Sequence, residues 1–157
     1  MQGQDRKSIS GMVITLAGGA ISWQSKKQAT VATSTTEAEY VATTSAVKEL
    51  IWIGRLLKEL GRDAINQKVL FNDNNGAISL AHNPEFHART KHIDVQHHFI
   101  RECVENGMVE LKHCGTSDMV ADVLTKPLPK ETHWKFVRMM GMESVDEFKE
   151  WECGNTS

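Results

Sequence analysis

One long amphipathic helix pattern, from about Thr35 to Leu60, constrains this chain more than any other feature. Ser34 followed by Glu37 reads as a capping box at its start: the serine covers a free amide and the glutamate reaches back. Gly61 is a natural stop at its end. The periodicity separates two nearby acids. Glu39 falls on the stripe Thr43, Ala46, Leu50, Ile53 and Leu57, the face expected to meet a core. Glu37 falls with Val41, Thr44, Lys48, Arg55 and Lys58, a mixed and wetter face. A glutamate on a buried stripe is costly without a partner or a metal. Glu37 is therefore read as a cap and Glu39 as the functional residue.

Strand signals flank the helix. Gly11–Leu16 is a β-rich run, and Gly18-Gly19 supplies the positive φ of a tight hairpin before Ala20–Trp23. Ala29–Thr33 reads as a continuation of that second strand or as a short third one. Val69–Asn72 is a short apolar run of the kind expected for a strand buried on both faces, and Asp73-Asn74-Asn75-Gly76 is the turn after it. A short helix is expected over Ala77–Ala81, a basic loop from Pro84 to Lys91, and a helix from Ile93 that closes at Asn106-Gly107. Met108–Lys112 alternates as a strand with one wet face. Thr116, Ser117 or Asp118 then caps a helix through Thr125, ended by Pro127 and Pro129. A last amphipathic helix covers roughly Lys130 to Met140, and an acidic tail follows over residues 142–157. This order predicts one α/β domain over residues 1–141, a mixed sheet flanked by helices.

Composition narrows the function classes. With 157 residues, 40% of them apolar and 24% charged, the chain can bury a real core and is not read as disordered. A net charge of −2 argues against a strongly basic nucleic-acid binder but leaves room for a local basic face. Cys103, Cys114 and Cys153 are odd in number and widely spaced, which suggests free thiols in a reducing, intracellular compartment. No signal peptide and no membrane span are expected.

Three acids stand at the ends of separate elements: Glu39 in the first turns of the long helix, Asp73 just past an apolar strand, and Asp122 just inside a late helix. Functional groups of open α/β sheets gather beyond the carboxyl ends of the strands. Singly, each acid also reads as a cap or turn residue. Together they predict a cluster for magnesium or manganese, which prefer hard oxygen ligands. Two such ions about 4 Å apart suit in-line phosphodiester hydrolysis. Asp118 is a second-rank neighbour. His92, His97 and His98, with His82 and His87 before them, match no zinc spacing and read as surface and loop residues. Neither His113 nor His133 gains support as a general base from its spacing. The cations Arg6, Lys7, Lys26, Lys27, Arg89 and Lys91 read as loop residues that gain meaning as phosphate contacts only beside the acids. Cys103 reads as core.

Six segments, in order, resemble the ribonuclease H domain at the carboxyl end of copia-type retrotransposon reverse transcriptases. They are Asp5–Gly11, Ala20–Gln28, Ser34–Tyr40, Asp73–Ile78, Arg89–Asp94 and Ala121–Pro129, and the likeness spans about residues 5 to 141. The resemblance implies cleavage of the RNA strand of an RNA:DNA hybrid, with two magnesium or manganese ions held by four carboxylates. Carried over, those carboxylates fall on Glu39, Asp73 and Asp122, and the six cations would hold the hybrid backbone. The fourth belongs, in the family, to an opening strand with a central aspartate. Only a few polar residues precede Arg6, and Asp5 has no strand leading into it. That strand lies mid-sheet in the family, so its loss is expected to leave two unpaired edges. The amino-terminal residues, a swapped segment, a shifted register, the reverse transcriptase region or another chain are the candidates expected to fill it. The isolated chain is accordingly expected to be impaired or inactive as an enzyme, and the competing reading is a non-catalytic nucleic-acid-binding or scaffold module.

Overall fold

The computed structural model describes residues 9–27, 35–62, 68–75, 78–79 and 91–144; the side chains of residues 35–39 and 91–93 are outside this description. The chain is mixed α/β and divides into two compact units, Met1–Ser10 with Lys26–Met119, and Gly11–Ser25 with Val120–Ser157. Strands β1 (Ile9–Leu16) and β2 (Gly19–Lys27) form a hairpin, most of which belongs to the second unit. Helix α1 (Thr35–Glu59), strand β3 (Val69–Asn72), helix α2 (Lys91–Glu105) and strand β4 (Glu110–His113) belong to the first. Helix α3 (Lys130–Met139) lies in the second.

In the first unit, α1 ends as its glycine predicts. Gly61 takes φ 73, its amide donates to the Lys58 carbonyl, and the Arg62 amide donates to the Leu57 carbonyl. That pair of bonds is the Schellman closure. Thr43, Ala46 and Ile53 of the expected core stripe are buried, and so is Thr44 of the stripe expected to be wetter. Thr44 manages this by donating its hydroxyl to the Tyr40 carbonyl at 2.9 Å, so no polar group is left bare. The core joins Tyr40 and Val47 of α1 to Ile100 and Cys103 of α2 and to Val109 and Leu111 around β4. Cys103 is core, as expected.

Strands β3 and β4 pair in parallel, in register from Val69 opposite Glu110 to Asn72 opposite His113. Parallel neighbours require a crossover, and α2 provides it. β4 begins two residues later than the pattern suggests, because Gly107 (φ 65) closes α2 and the Met108 and Val109 amides still donate to the Cys103 carbonyl. β3 is not buried on both faces: Val69, Leu70 and Asn72 are half-buried and Phe71 is exposed. Nor is there one mixed sheet among the described residues. The hairpin and the β3–β4 pair are separate two-stranded sheets, so neither face of β3 is fully covered.

In the second unit, the hairpin turn uses Ala17 (φ 52) and Gly18 (φ 85), not the glycine pair, and Gly19 opens β2. Two successive left-handed residues match the right-handed twist of the strands. Lys26 and Lys27 end β2 and are strand residues, not loop cations. Hydrogen bonds to distant carbonyls tie the hairpin to the rest of this unit. The Ala20 amide donates to the Met140 carbonyl at 2.8 Å, and Ser25 Oγ donates to the Leu124 carbonyl at 2.7 Å. The helix expected through Thr125 is instead a pair of 3-10 segments, Thr116–Asp118 and Val120–Leu124, interrupted at Met119 (φ −77, ψ 87). No side chain caps the first of these, which leaves a single turn with nothing to propagate it. α3 follows the sequence expectation closely. The Ser34 cap, the Ala29–Thr33 strand and the tail from Val145 lie outside the described residues, as does most of the Ala77–Ala81 helix, of which Ile78 and Ser79 are helical.

Candidate functional site

Asp73 occupies the position that its sequence setting predicts, the first residue past the carboxyl end of a parallel strand, and is half-buried. One side chain fixes its surroundings. Asn72 Nδ2 donates to Thr43 Oγ1 at 2.9 Å, and Asn72 Oδ1 accepts the Asn74 amide at 2.8 Å. The Asn72 carbonyl accepts the Cys114 amide at 3.0 Å, continuing the β3–β4 ladder. The end of β3 is thus tied to the first half of α1. Glu39 is one helical turn before Thr43 in that helix, with its side chain outside the description.

Asp122 belongs to the second unit and sits in the second 3-10 segment, a correction to its expected place inside an α-helix. It is buried, and its Oδ2 is 2.8 Å from Lys126 Nζ, with 12% of the aspartate side chain exposed. A carboxylate at that depth requires a cation, and Lys126 supplies one. Sequence reading passed over Lys126; its i,i+4 relation to Asp122 was the available signal. Asn72 was passed over as well, read only as a strand end. Asp118 is exposed and accepts from Ser117 Oγ at 3.3 Å.

Carboxylates are suitable donors for magnesium or manganese, and Asp122 already meets a positive charge. Among the described residues, no group of three or more His, Cys, Asp or Glu side chains could hold a metal ion. Lys26 and Lys27 are exposed on β2. Arg6, Lys7 and Arg89 lie outside the described residues; Lys91 opens α2, with its side chain undescribed.

One histidine departs from the surface expectation. His97 is buried and stacks on Tyr40, ring centroids 5.2 Å apart and planes within 8°. Burial holds its pKa below the usual histidine value, with Arg101 and His98 adding to the effect and Asp94 opposing it. Burial pushes the Tyr40 phenol up to about 12 against a smaller opposing pull from Arg101. His98, His113 and His133 are exposed.

Against known proteins, the chain is 47% identical over 142 residues to the retrovirus-related Pol polyprotein from transposon TNT 1-94 of Nicotiana tabacum, which covers 89% of this chain. Its homologues are retrotransposon Pol polyproteins. A second, from transposon RE2 of Arabidopsis thaliana, is 43% identical over 141 residues and 90% of the chain. The Ty1-DR5 Gag-Pol polyprotein of Saccharomyces cerevisiae is 33% identical over 127 residues and 80% of the chain. The chain spans 10% of the length of each of the two plant Pol polyproteins and 7% of the yeast one. No family model and no solved structure matches. None of the described helices of this Pol-related chain is long and apolar enough to cross a membrane.

Proposed function

We propose that this chain is the ribonuclease H part of a copia-type retrotransposon Pol polyprotein and acts on the RNA strand of RNA:DNA hybrids. The observation that carries the reading is Asp73 at the carboxyl end of β3, joined through Asn72 and Thr43 to the helix that bears Glu39. Similarity to Pol polyproteins over nine tenths of the chain supports it. Glu39, Asp73 and Asp122 would hold magnesium or manganese. When bound, such an ion supplies charge to the phosphate oxygens and eases loss of a proton from water. The chain's own residues provide the oxygen donors and fix Asp73 at the strand end. Lys26 and Lys27, with Arg6, Lys7, Arg89 and Lys91, would grip the hybrid backbone without reading its sequence. The fourth carboxylate that the resemblance implies is proposed to come from an adjoining reverse transcriptase segment or from another chain.

A second reading, a non-catalytic hybrid-binding or scaffold module, is favoured by one observation: the Asp122 carboxylate is already engaged by Lys126. A labelled RNA:DNA hybrid with magnesium or manganese separates the two. The chain alone is expected to cleave poorly, and addition of an upstream strand bearing an aspartate is expected to raise cleavage. Asp73→Asn should abolish it. Hybrid binding without cleavage in either form favours the module and sinks the hydrolase.

A further inference from the structure

We infer that Asn72 is a positioning residue for Asp73, a clamp that sets this acid relative to the opening turns of α1. The inference rests on the proposed metal role of Asp73. Its orientation is fixed by chemistry: the Asn74 amide can only donate, so the Asn72 oxygen faces it and the nitrogen faces Thr43 Oγ1. Asp73 therefore lies between two anchored neighbours. Asn72 is held by its carbonyl to the Cys114 amide and by its side chain to Thr43. On the other side, the Asn74 amide is held by Asn72 Oδ1, and the Asn74 carbonyl accepts the Ile78 amide at 3.3 Å.

An aspartate at position 72 could still accept from the Asn74 amide but could not donate to Thr43. A serine or alanine could not span both partners. Thr43 is itself buried, so this contact does not exchange freely with water. Groups that orient metal-holding carboxylates characteristically affect affinity more than fold. Loss of the Asn72 nitrogen contact should unfasten the Asp73 loop from the helix that carries Glu39, while loss of the oxygen contact should loosen the loop itself.

Manganese titration of the full 157-residue chain, followed by water-proton relaxation, tests the clamp, with hydrogen exchange of the Asn74 amide as a metal-free readout. Asn72→Ala should weaken manganese binding about tenfold and speed exchange at Asn74, with the far-ultraviolet circular dichroism unchanged. Thr43→Val should weaken binding by a similar factor, and Thr43→Ser, which keeps the acceptor, should restore it to within about twofold. Should Thr43→Val fail to fold, Asn72→Ala and the Asn74 exchange rate still decide the matter. Manganese affinity that depends on Asp73 but is indifferent to Asn72→Ala overturns the clamp even if the hybrid is cleaved. Affinity that depends on both, with no cleavage in the strand-supplemented form, upholds the clamp and overturns the hydrolase. Manganese binding indifferent to Asp73→Asn overturns both.

Discussion

The two units differ in how they are packed, and of the candidate metal-holding acids with described side chains Asp73 lies in the first and Asp122 in the second. The first unit is packed through side chains. Tyr40, Val47, Ile100 and Cys103 are almost wholly enclosed, and Asp73 follows a strand whose neighbour, β4, lines that core. The second also encloses a side chain, Phe136, completely, and adds to it a close approach of backbone to backbone. A Cβ at Gly11 would lie 2.9 Å from the Ala121 carbonyl oxygen, and one at Gly141 would meet the Gly18 carbonyl and lie 2.9 Å from Gly19 Cα. Asp122 follows Ala121 directly, so its place depends on a residue with no side chain. The first unit should therefore be sensitive chiefly to atoms removed, and the second to atoms added at its glycines as well.

The two largest effects fall one in each unit. Ile100→Ala empties a site with no exposed surface and should cost about 2–5 kcal/mol, transfer and cavity terms together. Urea unfolding measures it, and amide exchange should rise in α2 and β4. A loss below about 1 kcal/mol would mean that the site collapses without a cavity, which removes the contrast. Gly141→Ala tests the other half. It adds one methyl at φ 73, a left-handed conformation worth about 1–2 kcal/mol against a side chain. The clash with the Gly18 carbonyl adds about 1–3 kcal/mol of overpacking. Exchange of the Ala20 amide, which donates to Met140, should report the displacement. Unchanged protection there would mean that the close approach is dispensable.

This difference also explains what could be read from the sequence. The stripe on α1, the glycine stop at Gly61, the strand before Asp73 and the extent of α3 all follow from local period and backbone preference. They concern elements whose apolar face is written along a single segment. Burial of Thr44 and His97 was not legible, since each depends on a partner distant in the chain or on a local bond that periodicity ignores. The 3-10 break at Met119 is hidden for a related reason: Asp118 looks like the start of a helix, yet it ends the first 3-10 segment and the chain turns away at Met119. Glu39, Asp73 and Asp122 stood out as acids at element ends. Asn72 and Lys126 did not, because a clamp and a counter-ion become visible only once their partners have positions.

Lys126 offers a smaller test, specific to the second unit. Its ammonium contributes a charge-assisted bond to a mostly buried carboxylate, and Lys126→Met should cost about 1–3 kcal/mol without divalent ions. If Asp122 also holds a divalent ion, lysine and metal compete for the same carboxylate, so the variant should bind manganese more tightly and regain stability as the ion is added. Denaturation with and without 5 mM-scale manganese, on the order of a saturating dose for a weak site, distinguishes the cases. A variant equally destabilised at every manganese concentration would show that Asp122 is a structural ion-pair partner and no ligand.

The smallest effect concerns pH, and it returns the comparison to the first unit. His97 is buried against Tyr40, and its pKa is lowered chiefly by that burial, then by Arg101 and His98, with Asp94 opposing. The folded state therefore favours the neutral ring, whereas the unfolded chain takes up a proton near the ordinary value of about 6.5. Between those two values the unfolded state binds more protons, so stability falls as pH drops below about 6.5 and is unaffected by this group above it. Urea midpoints at pH 7.5 and 5.5, on the order of one unit either side of that value, should differ more for the native chain than for His97→Phe, which keeps an aromatic ring for Tyr40 to stack on. The exposed His98, His113 and His133 are common to both chains, so their contribution cancels in the comparison. Equal pH slopes would show that His97 is protonated as readily in the folded core as outside it. The packed unit would then hold a charge that its side chains, by this account, exclude.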